Sequence, residues 1–230
     1  MFIKILNKNL AFTLAEVLIT LGIIGIVAAM TIPTLIANYQ KQQTVSKLKK
    51  FYSTINQAIK LSEVDNGFAA QWQYPTNGRF NPDVMEEWFN KYFAKYFVYK
   101  DIQKTEDGIL IKMSGGDIFA IYATSDVKLN PHIIYFANQS SCDDYISNND
   151  NHIFYNGYPL DGKNNFLFSM NKEKGIIETY FYAYPGDERS KELFIRNGKN
   201  MGCAETYKYF CAALIEISGW QIPKDYPVKW

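Results

Sequence analysis

The sequence has few of the residues and patterns on which most enzymes and metal sites depend. It contains only two histidines, His132 and His152, and its three cysteines include no CxxC pair. A zinc site or a Cys–His catalytic pair is therefore not expected. The motifs GxSxG and HExxH, a phosphate-binding glycine loop and a dinucleotide-binding fingerprint are also missing. We expect a protein without enzymatic activity and without a cofactor.

An excess of charge of either sign is also lacking. The chain contains 24 lysines and arginines and 23 aspartates and glutamates, which gives a formal net charge of +1. No overall electrostatic field therefore attracts nucleic acid or an acidic substrate, and we predict no nucleic-acid partner. Aromatic residues, by contrast, make up 16% of the chain, which favours a well-filled core that contains β-sheet.

What the sequence does contain is one long apolar run at residues 12–32. A run of about 20 apolar residues is long enough to cross the ~30 Å hydrocarbon core of a membrane as a helix. A secretory signal peptide normally has a shorter apolar region, and a simple membrane anchor does not explain Glu16, which lies inside the run. An acidic side chain within a membrane segment costs a few kcal/mol and indicates a function.

The segment AFTLAE at residues 11–16 resembles the recognition site of type IV prepilins and type II secretion pseudopilins. In these proteins a short basic leader precedes a small residue, then Phe-Thr-Leu, then an acid at the fifth position of the mature chain. Pro33 resembles the helix-kinking proline that many pilins carry just after the apolar run. The resemblance implies that a membrane-embedded prepilin peptidase cuts between Ala11 and Phe12 and methylates the new amine of Phe12.

The resemblance also implies a role for Glu16. In a helical filament the apolar N-terminal helices pack together, and the carboxylate of Glu16 can meet the amine of Phe12 in a neighbouring subunit. Each charge is costly alone in an apolar environment, whereas the pair offsets that cost and fixes the axial stagger between subunits. Two alternatives remain open: Glu16 reaches the membrane interface, or it pairs with the amine of its own chain.

The helical pattern continues beyond Pro33 as one apolar stripe with spacings of three and four. The stripe contains Val45, Leu48, Tyr52, Ile55 and Ile59. The helix should end at the Asn66-Gly67 signal, and a kink or local unwinding is expected at Pro33, helped by Gly22 and Gly25. We interpret the lysines between residues 41 and 50 as a solvated face beside the membrane surface, with binding of lipid headgroups or DNA as alternatives.

The remaining residues predict a globular head with an antiparallel sheet. Strand patterns occur at residues 108–113, 118–123, 132–137, 165–170 and 176–183. An aromatic helix should run from Pro82 through Tyr96, and another helix is predicted at residues 204–218. We therefore predict a pilin-like α+β fold, in which a long N-terminal α-helix packs on an antiparallel β-sheet head with extra helices.

Four segments follow from this interpretation. Residues 1–11 form the cleaved leader, residues 12–36 the membrane-spanning and polymerisation helix, residues 37–65 its amphipathic continuation, and residues 66–230 the head.

Two loops rich in Asp and Asn, at residues 140–152 and 159–165, raise the question of a metal ion. Some pseudopilins carry calcium, so the resemblance makes Asp143, Asp144, Asp150 and Asp161 candidate calcium ligands. Neither loop matches an EF-hand, and loops of this composition are usually turns. Calcium is therefore an alternative to the expectation of no cofactor.

The cysteines allow more than one disulfide. Many pilins carry a disulfide near the C-terminus, and this resemblance slightly favours Cys203–Cys211. Within one helix, residues eight apart would lie about 12 Å apart, which is too far for a bridge, so this pair requires Cys203 to lie in the preceding loop. A bridge from Cys142 to either of them is the other possibility.

The resemblance implies a structural subunit of a type IV pilus-like filament or a type II secretion pseudopilus. Its partners would be other pilins, the prepilin peptidase, the pilus or secretion assembly machinery and, before assembly, membrane lipid. The precursor would cross the cytoplasmic membrane once, with its head outside the cytoplasm, and then enter a periplasmic or surface filament. The alternative is a membrane-anchored extracytoplasmic ligand-binding or enzymatic domain whose anchor is not cleaved.

Overall fold

A computed structural model describes residues 12–75, 81–123, 131–154, 157, 159–181 and 188–230. The predicted leader, including Ala11, lies outside the described residues. The chain divides into two units, one that ends at Gln40 and one that begins at Lys41. They are described separately.

The first helix, α1, runs from Leu14 to Asn66, and its residues up to Gln40 belong to the first unit. Pro33 lies within the helix, which is uninterrupted there and at Gly22 and Gly25, so no local unwinding occurs at these positions. A proline removes one helical N–H, and the residues around Pro33 keep their helical conformation despite this loss. A bend at Pro33 remains a prediction.

In the second unit, α1 buries one face in the core. This face consists of Thr44, Leu48, Phe51, Ile55, Ala58, Ile59 and Ser62. The predicted stripe contained Tyr52 in place of Phe51, whereas Tyr52 and Val45 are only half-buried. Phe51 is seven residues, or about two helical turns, from both Thr44 and Ala58, which are buried, so it lies on the centre of the buried face. Asn66 ends the helix, and Gly67 follows with a φ of +75°, which suits glycine at a helix end.

The sheet of the second unit has six strands in chain order, and every neighbouring pair is antiparallel. The strands are β1 Tyr99–Lys104, β2 Gly108–Met113, β3 Ile118–Tyr122, β4 His132–Phe136, β5 Asn165–Asn171 and β6 Ile176–Thr179. The predicted antiparallel meander is confirmed. The sequence analysis missed β1, because this edge strand is polar and mostly exposed.

Among the described residues, the second unit contains four further α-helices, besides two short 3-10 helices at Ala69–Gln71 and Ala94–Tyr96. The α-helices are α2 Pro82–Tyr92, α3 Gln139–Asn148, α4 Glu188–Asn197 and α5 Cys211–Ile217. The prediction of a loop at residues 140–152 was wrong in part, because Asn138 caps α3 by accepting a 2.8 Å hydrogen bond from the backbone N–H of Ser141. The predicted helix at residues 204–218 was also too long. Lys208 has a φ of +54°, which is incompatible with a helix, and α5 begins only at Cys211.

The long helix is joined to the middle of the sheet by aromatic rings. The ring centroid of Phe51 lies 5.4 Å from that of Phe119 on β3, 4.7 Å from that of Tyr135 on β4 and 5.4 Å from that of Phe168 on β5. Such ring pairs each contribute about 0.5–1.5 kcal/mol beyond the area that they bury. The second half of α1 is thus part of the core, and the pilin-like α+β arrangement is confirmed.

Candidate functional site

The start of α1 is organised by two neighbouring polar residues. Oε2 of Glu16 accepts hydrogen bonds from the backbone N–H and from the hydroxyl of Thr13, each at 2.8 Å. The backbone N–H of Glu16 donates in return to Oγ1 of Thr13 at 3.2 Å. This reciprocal arrangement is a capping box, and it holds the carboxylate of Glu16 at the N-terminal end of the helix.

The sequence analysis assigned no role to Thr13. The T-x-x-E spacing of Thr13 and Glu16 was visible in the sequence and is the usual signal for a capping box. The capping box is compatible with the predicted pairing of Glu16 across subunits, because a carboxylate oxygen accepts more than one hydrogen bond. The pairing itself stays a prediction.

The side chains of the first unit are almost entirely exposed. Only two alanines, Ala28 and Ala37, are half-buried between residues 12 and 40, and Phe12 is 86% exposed. The segment is apolar and long enough to cross a membrane. Full burial of one large apolar side chain is favourable by about 1.5–3 kcal/mol, so this helix strongly favours lipid or other apolar helices as its surroundings.

The structure places the four candidate calcium ligands on different elements. Asp143 and Asp144 are exposed on α3, and Asp150 lies in the following turn with a φ of +50°. Oδ1 of Asp161 accepts hydrogen bonds from three backbone N–H groups, of residues 163, 164 and 165, at 2.7–3.0 Å. Asp161 therefore organises its own loop, as an Asx turn does.

Asp144 and Asp161 both line one open cleft of about 630 Å³ between α3 and the loop that contains Asp161. Within the described part of the chain, no three His, Cys, Asp or Glu side chains are grouped closely enough to hold a metal ion. A calcium site therefore stays a prediction.

The structure joins Cys203 and Cys211 by a disulfide, with their Cα atoms 4.6 Å apart. Cys203 lies in a turn before α5, as this pairing requires. Cys142 is a buried free thiol, and burial raises its pKa to about 12, so that it stays protonated at neutral pH.

Gly162 brings the loop of Asp161 against this disulfide. A Cβ atom on Gly162 would lie 2.6 Å from Sγ of Cys211, and the φ of Gly162 is +66°. Only glycine fits both conditions. The hydroxyl of Tyr226 also donates a 2.7 Å hydrogen bond to the carbonyl oxygen of Gly162. The disulfide, the loop and the last residues of the chain therefore form one packed group.

An apolar groove of about 720 Å³ lies on the second unit beside α1. Tyr52, Leu61, Ile176 and Trp220 contribute to its lining, and the ring centroids of Tyr52 and Trp220 are 5.1 Å apart. Lys60, which also lines the groove, forms an ion pair with Glu63. The groove is a surface suited to apolar contacts, and it contains none of the residues that the sequence analysis singled out as site residues.

Two protein families match the chain. Residues 34–230 match the family described as "Family of unknown function (DUF6613)". Residues 6–32 match the "Prokaryotic N-terminal methylation motif", which is the prepilin-type signature, so this resemblance is confirmed. The motif implies processing by a prepilin peptidase, and together with the exposed apolar helix it fits a pilin or pseudopilin precursor. No curated protein and no solved structure matches the chain.

Proposed function

The chain belongs to the family of unknown function DUF6613. From the prokaryotic N-terminal methylation motif that it also carries, we propose that it is a structural subunit of a pilus-like or pseudopilus filament. The observation that supports this most is the contrast within α1. The helix presents an unburied apolar surface directly after the cleavage motif and then becomes part of a folded head. A subunit that polymerises through one end and presents a domain at the other needs these two properties.

Maturation begins with hydrolysis of the peptide bond between Ala11 and Phe12. The cleavage releases the basic leader, which contains Lys4 and Lys8, and leaves a positively charged amine on Phe12. Methylation then modifies this amine. The new N-terminus comes directly before Thr13, so the charge appears next to the capping box.

Assembly then joins the amine of one subunit to Glu16 of the next. The capping box limits the motion of the Glu16 side chain, so less entropy is lost when the carboxylate accepts a second partner. Packing of the apolar helices removes water from around both charges and thereby strengthens their attraction.

The subunit works without catalysis. The precursor spans the cytoplasmic membrane once and holds its head outside the cytoplasm, and the assembled filament extends into the periplasm or from the cell surface. There the head presents its loops and its apolar groove to neighbouring subunits or to exported protein.

Mass spectrometry of the N-terminus tests this proposal. The full chain is produced with and without a prepilin peptidase, and the membrane fraction is analysed. We expect a mature chain that starts with N-methylated Phe12 only when the peptidase is present. A chain that keeps Met1 under both conditions would contradict the proposal and favour a domain with an uncleaved anchor.

A further inference from the structure

A basic and aromatic cluster lies where the second unit begins. Nζ of Lys41 and Nζ of Lys163 each lie 5.7 Å from the ring centroid of Trp230. The ring centroid of Tyr226 lies 5.6 Å from that of Trp230. These four residues are called the Trp230 cluster. The sequence favoured a solvated face for the lysines at residues 41–50, with binding of lipid headgroups or DNA as alternatives, and did not place Trp230 beside them.

The position of Lys41 in the chain sets the depth of this cluster in a membrane. Lys41 follows Ile36, the last residue of the predicted membrane-spanning helix, by five residues. Five residues of α-helix extend about 8 Å, which is close to the thickness of one headgroup layer. Lys41 belongs to the Trp230 cluster, and only five residues of chain separate it from Ile36, so the cluster stays within reach of the headgroups whenever the apolar helix is inserted.

The two lysines of the cluster, Lys41 and Lys163, have no carboxylate partner among the residues that the structure describes. By contrast, Lys60, Lys95 and Lys104 each pair with a carboxylate. Two unpaired lysines beside a half-exposed tryptophan combine positive charge with an amphipathic ring, which is the chemistry that suits an anionic lipid surface.

We infer that the Trp230 cluster binds the headgroups of anionic phospholipids while the chain is anchored in the membrane. This inference rests on the proposed function, which supplies the membrane-inserted stage. Lys41 and Lys163 contact the phosphate oxygens, and the Trp230 ring lies at the boundary between headgroups and acyl chains. The contact holds one end of the head at the membrane surface until the subunit is extracted into a filament.

The test uses the full chain in nanodiscs that contain phosphatidylcholine and phosphatidylglycerol in a fixed ratio. In one sample only the phosphatidylglycerol carries brominated acyl chains, and in the other only the phosphatidylcholine does. Bromine quenches the fluorescence of tryptophans that it approaches. We expect brominated phosphatidylglycerol to account for a larger fraction of the total quenching than its fraction of the lipid. Trp230→Phe should remove this quenching, whereas the control Trp220→Phe should keep it.

The lysines are tested in the same samples. Each lysine near an anionic surface strengthens binding by about 1 kcal/mol, which is about a fivefold preference for anionic over zwitterionic lipid, and salt screens this effect. The double variant Lys41→Gln, Lys163→Gln should therefore lower the preference at least several-fold, towards the lipid ratio, and high salt should do the same. The matched control, Lys60→Gln with Lys100→Gln, removes two charges elsewhere and should retain the preference.

Two results would overturn the inference: quenching that survives Trp230→Phe, or wild-type quenching that follows the lipid ratio. The N-terminal mass of the same preparations, after exposure to prepilin peptidase, separates this inference from the proposed function. A cleaved chain with unquenched Trp230 refutes the lipid contact alone. An uncleaved chain with quenched Trp230 refutes the filament subunit and leaves the lipid contact in place.

Discussion

The two regions of α1 differ in burial although they belong to one helix. Ile24, in the region before Gln40, is 63% exposed, whereas Ile55, in the region after it, is fully buried. The second region packs its apolar face against the sheet, whereas the first has apolar residues on all sides of the helix. A helix that is apolar on all sides belongs in a membrane or in the interior of an assembly. The same helical backbone therefore supports folding in one region and leaves an apolar surface exposed in the other.

The largest expected effect is on the first region of α1. It is the loss of filament incorporation in the variant Glu16→Gln. This variant keeps the shape of the side chain and removes the charge, which leaves the amine of the neighbouring subunit unpaired within the filament. Loss of one partner of a buried ion pair costs about 3–5 kcal/mol, so incorporation into sheared filaments should fall about 10²-fold or more. The measurement is the amount of subunit in filaments relative to the amount of cleaved subunit in membranes.

The control for Glu16→Gln is Thr13→Val, which removes the hydroxyl of the capping box and keeps the Glu16 charge. We expect Thr13→Val to weaken the start of the helix by only about 1 kcal/mol and to retain filament incorporation. Equal loss in both variants would mean that Glu16 acts through the cap and not through pairing between subunits.

The next largest effect is on the stability of the head. It is tested by making the same Ile→Ala substitution in each of the two regions of α1. Ile55→Ala should lower the free energy of unfolding of the head by about 2–5 kcal/mol, because it leaves a cavity between α1 and the sheet. Ile24→Ala, in the exposed region, should leave head unfolding unchanged. Denaturant unfolding of both variants in detergent checks this difference. A similar loss of stability in the two variants would contradict the separation of roles.

The smallest expected effect is the loss of stability of the head at acidic pH. His132 is buried between aromatic rings of Tyr122 and Tyr180, and its Nδ1 has no hydrogen-bond partner among the atoms described. Burial lowers the pKa of His132 from 6.5 to about 4. Between these two values the unfolded chain binds a proton that the folded chain does not. Stability is therefore constant above pH 6.5 and falls as the pH decreases towards 4, by up to about 3 kcal/mol.

The variant His132→Phe isolates this contribution, since it keeps an aromatic ring and removes the titrating group. Its loss of stability between pH 7 and pH 4.5, measured by denaturant unfolding, should be smaller than that of the wild type. The control His152→Gln should retain the wild-type dependence. If His132→Phe and the wild type lose equal stability, acid sensitivity arises from other groups.

The sequence predicted those parts of the fold whose signals are local. Five of the six strands contain adjacent apolar residues, most of them β-branched or aromatic, and their positions could be recognised within one or two residues where the structure describes them. The polar edge strand β1 has no such pattern, because it pairs with β2 on one side only and stays exposed. Helix α3 was missed for a related reason, since its Asn and Asp residues favour turns and caps as much as helices.

The candidate site divides in the same way. The segment at residues 11–16 and the apolar run are contiguous and could be recognised in the sequence, whereas the Trp230 cluster joins residues that are far apart in the chain. The resemblance favoured the Cys203–Cys211 disulfide only slightly over a bridge to Cys142, and the structure contains the favoured pair. The position of the turn before α5 determines that Cys203 reaches Cys211, and that position depends on tertiary packing.

The sequence alone determined where this chain is apolar, which segment carries the prepilin-type motif and where its first helix ends, because these properties depend on neighbouring residues. The tertiary structure decided which face of α1 is buried, which cysteines pair and which lysines lack an ion-pair partner among the described residues. These properties depend on contacts between segments that are distant in the chain, and such contacts form only when the chain has folded.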